Sequence, residues 1–283
     1  MKTSPAHLKS RTSQGFSLIE LMVSLTIGLV VVVAALSAYM GAASATKMAS
    51  AQSVMNEDGQ SALGILSQHI RMAGYTSKTA AVDTVRGCEG TFTNIKLGSV
   101  GMGGLNCTNG NTTSDSIAVF YEADAFNTIA TSAGKPTDCL GNSLKADADD
   151  LYWAENRFFI DTMTGTTTKS LYCKGNAVAN NGDTIDNNHQ PLVENVEDLQ
   201  LTYGSEKDAG DKTVAGYVSA SDVTNWAKIL TVRICVVVRS EQPVLSDAKS
   251  AYYKNCAGTT VTPGDLYMRR TYQTTVVLRS KLL

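Results

Sequence analysis

The sequence predicts an α+β fold. One long N-terminal helix, embedded in a membrane over its first half, packs on a C-terminal antiparallel β-sheet with disulfide-stapled loops. Three observations predict it. An apolar run from Phe16 to Met40 continues without a breaker into an amphipathic stretch ending near Met72. The last third of the chain alternates apolar and polar residues with no helix between its segments, which is typical of an antiparallel sheet. All six cysteines follow the apolar run.

The apolar run has the length and composition of a membrane helix. Its roughly 25 residues reach about 37 Å as a helix, enough to cross a hydrocarbon core of about 30 Å. Glu20 is the single acid or base among its Leu, Ile, Val, Ala and Met residues. A carboxylate costs about 2.5–3.5 kcal/mol at the centre of a membrane and less near its edge, so Glu20 needs a partner.

A short basic leader precedes the run. It carries Lys2, Lys9 and Arg11 with no acid, and it ends at Gly15. A secretory signal has its apolar region before the cleavage site, whereas here the apolar region follows the glycine. A cut after Gly15 therefore leaves the helix on the mature protein, and it makes the chain more acidic because three cations are removed.

The junction between leader and helix resembles the class III signal of type IV prepilins and pseudopilins, G-F-x-L-x-E, at Gly15, Phe16, Leu18 and Glu20. The resemblance implies that a prepilin peptidase cuts between Gly15 and Phe16 and that the new Phe16 amine is N-methylated. It also implies that Glu20 pairs with the Phe16 amine of another subunit, as an assembly contact and not a catalytic group. The alternative is a plain single-pass anchor with a chance acid.

The helix is expected to run from Ser17 to about Met72. Beyond the apolar run, Val54, Leu63 and Leu66 recur at roughly helical spacing among polar residues. The predicted organisation is a leader, a transmembrane and assembly helix, an amphipathic half of the same helix and a periplasmic β-rich pilin domain. Their bounds are 1–15, 16–42, 43–75 and 76–283.

The end of this helix carries a second resemblance. Ile70, Arg71, Ala73, Gly74 and Tyr75 match the D-I-R-x-A-G-Y segment that closes the helix in the PilW family of minor pilins, with His69 in place of the usual Asp. The alternative is an unremarkable helix end, in which Arg71 serves only as a surface charge or a partner of the helix dipole.

The remaining chain is expected to be irregular over residues 76–115 and then to form strands. The predicted strands cover 116–121, 157–160, 169–173, the second half of 192–203, 229–239 and a last segment around 272–278. In 229–239 one face carries Leu230, Val232, Ile234, Val236 and Val238.

These C-terminal segments also resemble the PilW family. Residues 195–204 match its V-x-D-L-x-x-x-Y-G stretch, Trp226 with Val232-Arg-Ile matches its W-x-x-V-x-x-V-R-I strand, and residues 270–279 resemble its closing strand. The resemblance implies a pilin-like fold. It covers both ends of the chain, and residues 76–190 carry no such match.

The cysteines and the leader indicate the compartment. Cations before the helix place the N-terminus in the cytoplasm and the rest of the chain in the periplasm. An even number of cysteines in an oxidising compartment suggests disulfides, and no C-x-x-C motif indicates a zinc ribbon or a thioredoxin-like site. Six cysteines allow 15 pairings. Short loops close most easily, which favours the nearest-neighbour pairs Cys88–Cys107, Cys139–Cys173 and Cys235–Cys256.

The resemblance implies a PilW-like minor pilin that primes type IV pilus assembly and lies at the pilus tip. Its expected partners are other minor pilins, the major pilin, the prepilin peptidase and the inner-membrane assembly platform. The first alternative is a minor pseudopilin of a type II secretion system, most like the GspJ group. It shares the signal, the long helix and the sheet, so gene neighbourhood would distinguish the two.

An anchored periplasmic hydrolase is a third hypothesis, and the sequence disfavours it. The three histidines, His7, His69 and His189, lie far apart in the chain, and neither G-x-S-x-G nor H-E-x-x-H is present. The acidic charge balance argues against nucleic-acid binding. No enzyme, cofactor or metal site is expected, although the Asp183 and Asp186 loop has ligand types suited to calcium.

Overall fold

A computed structural model of the chain describes residues 15–77, 84–93, 105–109, 114–163, 165–177, 189–208 and 210–282. The backbone divides into two compact units between Ala49 and Ser50. The first unit is the N-terminal part of a long helix, and the second holds the rest of that helix and a β-rich globular region. The leader before Gly15 and the acidic loop with Asp183 and Asp186 lie outside the described residues.

Helix α1 spans Leu18–Met72, 55 residues, one residue shorter at its start than the sequence predicts. In the first unit its large apolar side chains are exposed. By length and composition this part of α1 is able to cross a membrane.

The part of α1 in the globular unit has one buried face and one exposed face. Its buried residues recur every three or four positions, so they lie on one face of the helix. They are Met55, Gly59, Ala62, Leu63, Leu66, Ser67 and Ile70. The amphipathic half predicted from the sequence is thus present, and its apolar face joins the protein core.

Thirteen strands occur in the described part of the chain. They are β1 Val85–Cys88, β2 Gly90–Thr93, β3 Asn106–Asn109, β4 Ser116–Ala123, β5 Tyr152–Thr162, β6 Lys169–Lys174, β7 Gln190–Glu194, β8 Val196–Glu206, β9 Val214–Val218, β10 Ile229–Arg239, β11 Tyr253–Lys254, β12 Thr260–Val261 and β13 Arg269–Val277. A five-stranded sheet has the order β1-β4-β5-β6-β7, and a four-stranded sheet has the order β13-β10-β8-β9. All pairings are antiparallel, and β2–β3 and β11–β12 form separate hairpins.

The sequence prediction for residues 76–115 was wrong where the structure describes them, because they contain β1, β2 and β3. These strands have four residues each and include Gly87, which weakens any strand signal. Gly87 is required by packing. A Cβ there would collide with the phenol of Tyr203 of β8. Gly87 thus weakens the strand signal in the sequence, but it allows β1 to approach the second sheet.

The segment 192–203 belongs to two sheets. Strand β7 joins the five-stranded sheet and β8 the four-stranded sheet, and Asn195 separates them in the left-handed region with φ 60°. Asn adopts that conformation more readily than most residues. The predicted alternation over the second half of the segment corresponds to β8, whereas the crossing between sheets was not predicted.

The central strand of the second sheet has the predicted faces. In β10 the residues of the predicted apolar face are all buried. Val232 lies opposite Val276 of β13 and Tyr203 of β8. The apolar faces of both sheets and of α1 form one continuous core.

The structure contains three disulfides, Cys88–Cys107, Cys139–Cys173 and Cys235–Cys256. Their Cα–Cα distances are 5.5, 6.5 and 5.8 Å, within the usual range. The first ties the β2–β3 hairpin to β1, the second ties a loop to β6, and the third ties the end of the β11 hairpin to β10. This is the nearest-neighbour connectivity.

Candidate functional site

The candidate site is the start of α1, where the sequence places the cleavage and assembly residues. Gly15, Phe16 and Ser17 precede the helix without regular structure. Gly15 is exposed, a Cβ at its position would meet no heavy atom within 4 Å, and Phe16 is 88% exposed. Both residues of the predicted cleavage site are therefore exposed.

Glu20 lies in the first turn of α1. One carboxylate oxygen, Oε2, accepts a hydrogen bond from the backbone N–H of Ser17 at 2.9 Å. This contact satisfies one of the donors that a helix start leaves unpaired, and the negative charge suits the positive end of the helix dipole. The helix thus holds the carboxylate near the backbone of Ser17, the residue next to Phe16.

Several hydroxyl side chains of the first unit donate hydrogen bonds to carbonyls of their own helix. Ser24 donates to the carbonyl of Glu20 at 2.7 Å, Thr26 donates to that of Val23 at 2.8 Å, and Ser37 donates to that of Val33 at 2.9 Å. Each of these hydroxyl donors therefore has a hydrogen-bond acceptor within the helix, as a lipid environment requires. The acid of Glu20 differs from them because its charge remains.

One side of the first unit forms a shallow apolar surface around Gly28. A cavity of about 510 Å³ is lined by Leu21, Ser24, Leu25, Gly28, Leu29 and Val32. A Cβ at Gly28 would meet nothing within 4 Å. Small residues on a membrane helix let a second helix approach its backbone closely, so this surface is suited to helix–helix packing.

The other end of α1 contains the A-G-Y segment. Gly74 has φ 78°, and its N–H donates to the carbonyl of Phe120 in β4 at 2.8 Å. The hydroxyl of Ser280 donates to the carbonyl of Ala73 at 2.7 Å. The segment thus ends the helix and fastens it to β4 and to the C-terminal turn, which is a structural role.

His69, which replaces the Asp of the family segment, packs against the first sheet. Its ring packs on Phe158 with centroids 4.9 Å apart, and Nδ1 lies 3.4 Å from the Tyr121 hydroxyl and from the Asn156 amide nitrogen. Asn156 also donates to the Tyr121 hydroxyl at 3.0 Å. Burial lowers the pKa of His69 from 6.5 to about 4. The imidazole is therefore neutral and links α1 to the first sheet.

Arg71 lies on the exposed side of α1. Together with Arg279 it lines a cavity of about 610 Å³ between α1 and β13. The remaining lining residues are uncharged, with three glutamine amides among them. Arg71 is thus a surface charge beside a polar groove. This position agrees with the alternative interpretation of the segment, in which Arg71 serves only as a surface charge.

A third cavity, of about 720 Å³, has several carboxylates in its wall. Among them Asp115 accepts a hydrogen bond from the N–H of Leu201 at 2.7 Å, and burial raises its pKa from 3.8 to about 6. Within the described ranges, no group of three or more His, Cys, Asp or Glu residues is placed to hold a metal ion. Lys169 of β6 and several residues of β8 line this cavity, so it lies between the two sheets.

Two family models match the chain. One, described as a prokaryotic N-terminal methylation motif, matches residues 10–36. The other, described as type IV pilus-assembly protein W, matches residues 157–280. The two matches together support a PilW-family minor pilin of the type IV pilus. The methylation motif and the apolar helix make it a membrane-anchored pilin subunit, and neither model is that of a pseudopilin.

The other comparisons add little to this assignment. A type IV-like pilin from Thermus thermophilus is 12% identical, with a TM-score of 0.37, over 83% of this chain and 98% of that chain. No curated protein matches the chain. The assignment therefore rests on the two family models.

The residues that carry the PilW match are mainly packing residues. Val196, Leu199 and Tyr203 are fully buried in β8, and Tyr203 meets the Trp226 ring edge-on at 4.9 Å. Arg233 of the V-R-I strand lies over the Tyr217 ring at 4.0 Å. The PilW-matched region therefore holds strands of both sheets, including the whole of the second sheet.

The sequence did not indicate one charged cluster. Arg269 binds both Glu197 and Asp265, and Arg239 lies 3.5 Å from Glu197. Glu197 lies in β8, Arg239 ends β10, Arg269 begins β13 and Asp265 lies in the loop before β13, so most of the cluster depends on strand pairing. No spacing in the sequence brings them together.

Proposed function

We propose that this minor pilin is cut between Gly15 and Phe16, that Phe16 is then N-methylated, and that the mature chain primes pilus assembly with other minor pilins. The observation that carries the proposal is the start of α1. An exposed Gly15–Phe16 pair precedes a carboxylate held in the first helical turn, and the large apolar side chains from Phe16 to Met40 are exposed.

The proposed contact is an ion pair between Glu20 of one subunit and the Phe16 amine of a neighbour. Cleavage creates this amine, and N-methylation keeps it cationic near neutral pH. In lipid each charge offsets part of the desolvation cost of the other. Because both groups lie at the start of the helix, their pairing would also fix the axial register of two neighbouring helices.

The Ser17 contact supports this proposal. A carboxylate bound to the first turn is held in one place, so little side-chain freedom is lost when a neighbour's amine binds it. A carboxylate oxygen accepts more than one hydrogen bond, so the Ser17 N–H and an amine are able to share it. Ser17 therefore positions Glu20 and does not compete with the neighbouring subunit.

The proposed orientation follows from charge. Lys2, Lys9 and Arg11 precede the membrane segment, and the positive-inside rule places them in the cytoplasm. The globular unit then lies in the periplasm, where its three disulfides are stable. The transmembrane and assembly helix is taken as 16–42, and its continuation as 43–75.

The proposed partners are the other minor pilins, the major pilin, the prepilin peptidase and the inner-membrane assembly platform. The first two would contact the exposed apolar side of α1 around Gly28, and the peptidase would act at Gly15. A priming subunit begins the filament, so the assembled position proposed for this chain is the pilus tip.

Mass spectrometry of the mature N-terminus tests the proposal. The protein from membranes should begin at Phe16 and carry one added methyl group, and Gly15→Leu should leave the leader attached. Ser17→Ala, a control outside the cleaved bond, should be processed normally. A mature chain that begins elsewhere would contradict the proposal.

A further inference from the structure

The polar cavity of about 610 Å³ beside Arg71 is a trough between α1 and β13, here called the α1–β13 groove. The helix and the strand touch at both ends of it. At one end the ring of Tyr272 lies against the backbone of Gly59, and at the other the hydroxyl of Ser280 donates to the carbonyl of Ala73 at 2.7 Å. The helix rises about 20 Å between these two contacts. The space between them is therefore long enough for about six residues of extended peptide.

The positive charge of the α1–β13 groove is unbalanced. Arg71 and Arg279 line it, and the described residues of its wall include no Asp or Glu. Between the residues that the structure describes, neither guanidinium makes a hydrogen bond or an ion pair, and both side chains are exposed. An interaction of Arg71 with the helix dipole uses none of the five N–H donors of its guanidinium. These donors are therefore available to an anionic ligand.

A buried hydroxyl lines the same groove. Ser67 lies one helical turn before Arg71 and is only 9% exposed. Ser24 and Ser37 donate to carbonyls four residues earlier in α1, whereas the Ser67 hydroxyl has no hydrogen-bond partner among the described residues. A buried polar group without a partner is unfavourable. Ser67 thus offers a hydrogen bond that a ligand in the groove would satisfy.

Amide side chains line the rest of the groove and favour a peptide over a small anion. Gln60, Gln68 and Gln273 lie in its wall, and none of them has a hydrogen-bond partner among the described residues. A glutamine amide both donates and accepts hydrogen bonds, as a peptide backbone does, whereas a small inorganic anion mainly accepts them. Gly64 leaves room for a chain, because a Cβ there would meet nothing within 4 Å.

The two arginines lie at the same end of the groove. Arg71 is two residues before Ala73, and Arg279 directly precedes Ser280, the residue that bonds the Ala73 carbonyl. A guanidinium binds a carboxylate through two parallel N–H donors, which makes arginine well suited to carboxylate recognition. The groove therefore matches a peptide that places a carboxylate at this end and uncharged backbone along the remainder.

We infer that the α1–β13 groove binds an extended peptide segment of a partner protein. An acidic side chain of this segment binds Arg71 and Arg279, the Ser67 hydroxyl donates to the segment, and the glutamine amides pair with its backbone. The inference goes beyond the proposed function, because such binding requires neither cleavage after Gly15 nor a pilus.

Fluorescence anisotropy with the full-length protein in a non-ionic detergent tests the inference. The probe is a labelled hexapeptide of alternating glutamate and threonine with an amidated end, a pattern that favours an extended chain with its carboxylates on one side. It should bind saturably, with a dissociation constant below about 1 mM. The same peptide with glutamine in place of glutamate should bind at least about tenfold more weakly, because charged hydrogen bonds are lost. Equal binding of both peptides, or no saturable binding of the acidic one, would overturn the inference.

Two double variants separate the groove from general charge attraction. Arg71→Gln with Arg279→Gln should weaken binding of the acidic peptide at least about tenfold. It should leave the melting temperature unchanged, because both side chains are exposed. Lys135→Gln with Lys228→Gln removes the same charge from two exposed positions outside the groove and should bind as wild type. An equal loss of affinity in both double variants would overturn the inference.

Gly64→Leu provides a test that keeps both arginines. A larger side chain at this exposed position narrows the groove, so the variant should fold as wild type and bind the acidic peptide at least about tenfold more weakly. Wild-type affinity in this variant would place the peptide elsewhere and overturn the inference. Inorganic phosphate at constant ionic strength should not displace the peptide, and displacement would indicate a simple anion site instead. None of these results depends on pilus assembly, so their failure leaves the proposed function in place.

Discussion

The ring of Tyr272 packs directly on the backbone of Gly59. A Cβ at Gly59 would lie 2.5–2.7 Å from three ring atoms of Tyr272, closer than atoms pack. The Tyr272 hydroxyl also donates to the Asn56 side chain at 2.7 Å. This contact joins α1 to β13, the edge strand of the second sheet.

Gly59→Ala should therefore destabilise the protein although alanine is the better helix former. The helix gains up to about 1 kcal/mol from the substitution, whereas overpacking against the ring costs about 1–3 kcal/mol. Gly64 is the matched control, since a Cβ there meets nothing within 4 Å. Gly64→Ala should stabilise by up to about 1 kcal/mol. Urea unfolding of the full-length variants in detergent measures both, and a gain in stability for Gly59→Ala would contradict the packing argument.

His69 should make stability fall as the pH drops. Burial lowers its pKa to about 4, so between about pH 6.5 and 4 the unfolded chain binds a proton that the folded chain does not. The full effect is of the order of 3 kcal/mol. His69→Gln removes it. The variant should therefore gain stability relative to wild type as the pH is lowered through this window, and a pH-independent difference would show that His69 does not titrate as described.

Asp115 should make stability fall as the pH rises, the reverse of the effect of His69. Burial raises its pKa to about 6, helped by the nearby Glu89 and Asp198 and opposed by the Leu201 N–H. Its stabilising contribution is present at low pH and is lost as the pH rises from about 4 to 6, by an amount of the order of 2 kcal/mol. Asp115→Asn keeps an acceptor for the Leu201 N–H. The stability of this variant relative to wild type should therefore increase as the pH rises. Unfolding curves from pH 4 to 7 would measure this, and the opposite slope would refute the assignment.

The three disulfides give a direct prediction. Non-reducing peptide mapping of the full-length protein should find no free thiol and should recover the pairs Cys88–Cys107, Cys139–Cys173 and Cys235–Cys256. Loop-closure entropy predicts a loss of about 3–4 kcal/mol when the Cys139–Cys173 pair is replaced by alanines. A bridge such as Cys88 to Cys256 would contradict the connectivity.

The sequence predicted the elements whose signals are local. The helix from Ser17 to Met72 follows from its apolar and amphipathic patterns, and β10 from strict alternation. The proposed cleavage and assembly residues, Gly15, Phe16, Leu18 and Glu20, were selected from the sequence because they form one contiguous segment of six residues.

The parts that were missed depend on distant residues. Strand β1 was not predicted because it contains Gly87. The packing reason for this glycine, its contact with Tyr203 of β8, is visible only in the structure. Gly59 and Gly64 look alike in the sequence, and only the position of Tyr272 distinguishes them.

The central claim is that the charge of Glu20 is an assembly contact, and one comparison tests it most directly. Full-length wild type, Glu20→Gln and Thr26→Val are expressed in cells that lack the native chain, and surface pili and co-purified minor pilins are counted. Thr26 is the control because its hydroxyl bonds only its own helix, at the carbonyl of Val23. Glu20→Gln keeps size and polarity, so it should insert and be cleaved normally, yet recover fewer partners and support fewer pili, while Thr26→Val behaves as wild type. Wild-type piliation and partner recovery by Glu20→Gln would contradict the claim.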